Sequence, residues 1–83
     1  MKRPVHPGAI LREDIIAELR VGIGEFSRMV KVPEGVLVRV TEERDRISPA
    51  TAQALEAAGF GTSRAWLEMQ AAHDGLDAGH LKT

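Results

Sequence analysis

The 83-residue chain has no cysteine, which excludes a disulfide framework and a thiolate metal site and suits a reducing compartment. It has no apolar stretch near the ~20 residues a membrane helix needs, and none follows Met1-Lys2-Arg3 as a secretory leader would. A soluble, cytoplasmic chain with no membrane partner is therefore expected. A large charge excess is also missing: the net charge is −1 and the pI about 6.3, short of a strongly basic nucleic-acid footprint. The charge is uneven, however, with six Lys/Arg against four Asp/Glu over residues 1–31 and two against four over 47–83.

Catalytic and metal signatures are absent too. His6, His73 and His80 stand on separate segments with no i, i+4 pair, so neither a metal site nor another cofactor is expected. Glu13-Asp14 and Glu42-Glu43 accompany no nucleophile that would make them acid/base groups. Gly22-x-Gly24 precedes a helix but follows no strand, unlike a phosphate-cradling loop. The chain reads as no enzyme.

With 43% hydrophobic and 28% charged residues, the composition is that of a folded globule rather than a disordered chain. Eighty-three residues make one small domain, whose core is compact or shared with a second copy. There is no alternating strand pattern and no repeat. Helical spacing begins after Pro7-Gly8, with Leu11, Ile15 and Leu19 on one face and Ile16 beside them, giving a first helix over about 8–19. Gly22 takes a cap position before a short second helix carrying Phe26, Met29 and Val30. Val32-Pro33 breaks the pattern, so a third helix starts near Pro33 with Leu37 and Val40 inward and ends in the charged run 42–46.

Ser48-Pro49 is a strong helix start, serine as N-cap and proline in the first turn, with Ala52, Leu55 and Ala54 or Ala58 inward. Gly59 and Gly61 stop it. Thr62 or Ser63 caps a last helix running to about Asp74, and Gly75 and Gly79 argue for a frayed tail over 75–83. The outcome is an all-α, five-helix domain with its core over about 6–74, in which a three-residue turn joins helices two and three in a tight crossing.

The frame His6-Pro7-Gly8-Ala9-Ile10-Leu11-Arg12-Glu13, together with Ile47-Ser48, Ala52, Leu55, Gly61-Thr62-Ser63, Trp66-Leu67 and Gln70-Ala71-Ala72, closely resembles the HigA/VapI-type antitoxins. These form a branch of the XRE (Cro-like) helix-turn-helix proteins. The resemblance covers about residues 6–74 and implies a lambda-repressor-like fold. It also implies a cytoplasmic homodimer that binds operator DNA, represses its own operon and neutralises a RelE-like, RNA-cleaving toxin.

In that architecture the third helix enters the major groove. With Leu37 and Val40 inward, its outer set is Glu34, Gly35, Val36, Val38, Arg39 and Glu42. Only Arg39 is a side chain able to read a base pair by two hydrogen bonds. Glu34 and Glu42 repel the phosphate backbone, whereas Val36 and Val38 suit thymine methyls or a protein partner equally. Arg44, Arg46 and Ser48 suit phosphate, because a helix N-terminus offers free N–H groups and arginine a clamp. Ser48 reads equally as a plain cap and 42–46 as a solvated turn. Trp66, Leu67 and Met69 are assigned to a two-fold dimer interface, against a wholly intrachain Trp66. The toxin surface is expected on the first helix and the basic N-terminal arm. Two alternatives stand: an interaction module that keeps the fold without an operator, and a stand-alone XRE-type repressor without a toxin.

Overall fold

The computed structural model describes the backbone of residues 5–82 and the side chains of residues 5–75; the N-terminal arm at 1–4 and the His80 side chain lie outside them. The described residues form five helices and no strand. Helix α1 is one continuous rod of three pieces: Pro7–Ile10, a π-helical turn Leu11–Ile16, and Ala17–Leu19. Then follow α2 (Ile23–Val30), α3 (Glu34–Thr41), α4 (Pro49–Ala57) and α5 (Ser63–Lys82). The all-α, five-helix expectation is met.

The π-helical turn alters the face that α1 buries. Ala17 N–H bonds back five residues to the Arg12 carbonyl, so the helix rotates less per residue here than an α-helix does. Leu11 is fully buried and Ile15 and Ile16 half-buried, but Leu19, expected on the same stripe, is turned out and exposed. Met29, likewise expected inward on α2, is exposed. The remaining stripes hold, with Phe26, Val30, Leu37, Val40, Ala52 and Leu55 in a single core.

Trp66 belongs to that core. It is 3% exposed, and its Nε1–H donates to the Phe60 carbonyl at 2.6 Å. The indole is therefore spent within the chain, as a buried tryptophan needs a partner for its N–H. Its packing among the described residues is intrachain, the alternative weighed against a dimer contact. Helix α5 also departs from expectation: its backbone stays helical through Gly75 and Gly79 to Lys82 instead of ending near Asp74. Phe60, which sequence reasoning did not use, packs on Phe26 at 5.4 Å between ring centroids.

Candidate nucleic-acid interface

The second and third helices meet across a turn built without glycine. Lys31 closes α2 in the left-handed region (φ 61°), Val32 N–H returns to the Ser27 carbonyl at 3.2 Å, and Ser27 Oγ donates to the Val32 carbonyl at 2.5 Å. Pro33 then sits at the N-cap of α3 with extended ψ. The chain thus leaves α2 and re-enters α3 within three residues, as the break at Val32-Pro33 predicts.

Helix α3 is fixed from behind by the start of α1. His6 caps α1, its Nδ1 accepting the Gly8 N–H at 2.9 Å, with Pro7 following in the first turn. This is the local hydrogen-bonding role that a histidine before Pro-Gly invites. Gly8 lies so close to α3 that a Cβ there would stand 1.8 Å from the Val40 carbonyl oxygen. One turn on, the Arg12 guanidinium donates to the Thr41 carbonyl at the end of α3, where the helix dipole favours a cation. Glu13 and Glu43 flank it at 2.9 and 3.6 Å. The opening motif therefore docks the helix that faces outward. Sequence spacing alone gave no sign that Gly8 and Arg12 serve α3.

On the outer face, Glu34, Gly35 and Arg39 are exposed, while Val36 and Val38 are half-buried. The Glu34 carboxylate folds back beside Gly24, 3.1 Å from where a Cβ would stand on that glycine. It thereby lies against the first turn of α2, where the helix dipole favours an anion, instead of pointing outward. Arg39 Nε donates to Asp45 Oδ2 at 2.8 Å, and Arg44 Nη1 to Glu42 Oε1 at 3.0 Å. All four of these groups are about half or more exposed, so the pairs add little stability.

The corner after α3 is shaped by Glu43, which turns the chain at φ 63°. Arg46 projects from it, 75% exposed, its Nε 2.7 Å from Asp74 Oδ2 in an ion contact rather than an aligned hydrogen bond. Ser48 caps α4, its Oγ accepting Thr51 N–H at 3.1 Å and lying 3.1 Å from Thr51 Oγ1. Of the predicted site residues, Arg46 and Ser48 thus line one groove, the Arg46 guanidinium turned to Asp74 of α5; Arg44 lies on Glu42 and Arg39 on the face of α3. Leu67 shares this open groove of about 450 Å³ with Arg46, Ser48, Pro49 and Ala71. Met69 is half-buried against the core.

Behind the corner, the structure gathers two histidines that the sequence left apart. His6, buried, meets His73 edge-on at 5.1 Å, and burial first, then the His73 charge, hold the His6 pKa below its usual 6.5. No group of three or more metal-ligating side chains gathers anywhere among the described residues. No helix there is long and apolar enough to cross a membrane.

Two short helices joined by a three-residue turn, the second braced from behind by α1 and carrying Arg39 on its exposed face, define a helix-turn-helix protein. Comparison with solved structures places it more closely. Antitoxin GraA superposes with a TM-score of 0.88 at 30% identity, over 98% of this chain and 87% of GraA. Pseudomonas aeruginosa antitoxin HigA with the higBA promoter (26% identity, 92% of this chain and 83% of that one, TM-score 0.84) is also similar. So is P. aeruginosa PA4674 in complex with its operator DNA (26%, 92% and 80%, 0.84). The chain belongs to the helix-turn-helix antitoxin family. No protein-family model and no curated protein matches it.

Proposed function

We propose that the chain is a HigA/VapI-type antitoxin of the XRE branch, a cytoplasmic homodimer that binds operator DNA and neutralises a RelE-like, RNA-cleaving toxin. The observation that carries this reading is the near-complete superposition on antitoxin GraA, on HigA with its promoter and on PA4674 with its operator. The exposed arginines supply the chemistry. Arg39 reads a base edge, while Arg44, Arg46 and the α4 N-terminus beside Ser48 hold phosphates; Gly35, Val36 and Val38 line the approach, and Glu34 stays turned toward α2. Leu67, in its groove with Pro49 and Ala71, and the half-buried Met69 are the dimer contacts. The toxin takes the outer face of α1 and the basic arm.

A gel shift on the chain's own promoter DNA over a salt series tests the DNA half. A sequence-dependent shift weakened by Arg39→Ala supports it; no shift, or one indifferent to sequence and to Arg39→Ala, overturns it. Co-purification with a small basic protein encoded next door tests the antitoxin half. Light scattering of Leu67→Asp tests the dimer, which is predicted to dissociate.

One observation favours a second reading, an interaction module that has lost its operator. The segment 34–46 carries four carboxylates against three arginines. A stoichiometric partner other than a toxin, with no DNA shift, selects that reading.

A further inference from the structure

The carboxylate on Arg39 has a place of its own in a reading surface. Glu43, in the left-handed region, folds the loop back over the end of α3, so that the N–H groups of Arg44 and Asp45 both return to the Arg39 carbonyl, at 2.8 and 3.3 Å. The same loop residue then meets the Arg39 side chain, Asp45 Oδ2 accepting from Nε at 2.8 Å. Asp45 is thus tied to Arg39 through both main chain and side chain.

That contact takes only the Nε of the guanidinium. Nη1 lies over Gly35, four residues toward the N-terminus, 4.0 Å from where a Cβ would stand on that glycine. The arginine therefore lies back along α3, the direction helical side chains favour, toward the end that approaches base edges in a helix-turn-helix. Gly35 offers no side chain to cover it. The Nη1/Nη2 edge, the pair of donors that matches the O6 and N7 acceptors of guanine, stays open. An arginine held at one nitrogen also loses less rotamer freedom when it meets a base.

We propose that Asp45 is a specificity-determining positioning residue: it holds Arg39 by Nε so that the free guanidinium edge reads a guanine. This rests on the operator-binding reading above. The competing role for the same carboxylate is a screen, a negative charge that DNA phosphate displaces. The two differ in what removal of the charge does. Without a screen, affinity rises on every sequence alike. Without a positioner, discrimination falls at one base pair.

The test is fluorescence anisotropy of the full chain on its promoter duplex and on duplexes with each base pair replaced in turn. Wild type, Arg39→Ala, Asp45→Asn and the double variant are compared, with circular dichroism confirming the fold. Arg39→Ala is expected to lose a preference of about five- to a hundredfold for one G·C pair, the range of a good bidentate contact. Asp45→Asn is expected to lose about fivefold or more at that same pair, and nothing further when Arg39 is already alanine. A purely structural role moves all duplexes together. If Arg39→Ala abolishes the preference and Asp45→Asn leaves it intact, or if Asp45→Asn weakens all sequences equally, the proposal is overturned while operator binding stands. If wild type shows no preference at all, operator reading itself fails and the proposal with it.

Discussion

Replacing Gly8 with alanine puts one methyl group between α1 and α3. Its carbon would stand 1.8 Å from the Val40 carbonyl oxygen and 2.7 Å from the carbonyl carbon. An ordinary contact lies nearer 3.5 Å, the separation of atoms at the optimum of their attraction, so the backbones must part by well over an ångström. Neither obstacle is the end of a flexible side chain. The Val40 carbonyl also accepts the Glu43 N–H at 2.9 Å, the bond that starts the loop carrying Arg44, Asp45 and Arg46. Overpacking of this kind costs about 1–3 kcal/mol, and losing the Glu43 bond about 1 more. Alanine recovers about 0.5–1 kcal/mol as the better helix former.

The net loss is about 1–3.5 kcal/mol, a large part of the ~5–15 kcal/mol that holds a domain together. At about 4–8 °C per kcal/mol for a domain of this size, Tm falls by roughly 4–28 °C. Thermal unfolding followed by circular dichroism measures it. Gly75→Ala is the control: it lies in α5 with open space where the methyl would go, and gains about 0.5–1 kcal/mol. A Gly8→Ala protein as stable as wild type refutes the close docking of α1 on α3.

Three further outcomes are expected. Lys31→Gly, relieving a left-handed backbone that favours glycine, raises stability by up to about 1 kcal/mol in urea unfolding, whereas Lys31→Val lowers it. Gln70→Ala strips the buried Ile47 N–H of its acceptor at 2.7 Å and costs about 1–3 kcal/mol, read by the same assay. His6, with its folded pKa held below 6.5, binds fewer protons folded than unfolded. Its stabilisation is therefore complete above about pH 6.5 and declines as pH falls from there through the depressed folded value. Protonation of Nδ1 also removes the cap on Gly8. The stability–pH curve of His6→Asn should be flatter over that window.

What was legible in the sequence follows from the range of the interactions involved. Local punctuation identified the α2–α3 break at Val32-Pro33 and the Ser48 cap, because proline geometry and capping act within a few residues. Leu37, Val40 and Leu55 emerged from helical spacing. Leu19 did not, because the π-helical turn changes the angle per residue without changing composition. Trp66 escaped because its partner, the Phe60 carbonyl, depends on how Gly59 and Gly61 turn the chain at φ +91° and +83°. On the outer face of α3, Arg39 was visible as a residue type. Asp45 was not, since its relation to Arg39 arises only when Glu43 enters the left-handed region. The resemblance of the His6–Glu13 frame likewise named a family without revealing that Gly8 and Arg12 hold α3.

The central claim, that a dimer presents two copies of α3 to operator DNA, is tested most directly by hydroxyl-radical footprinting on the chain's promoter. Two symmetric protected patches separated by about one helical turn, ~34–36 Å, or a multiple of it, are predicted. Loss of both on Arg39→Ala at a protein concentration where wild type protects them would complete the case. No protection, or protection spread evenly along the duplex and unchanged by that substitution, would contradict it.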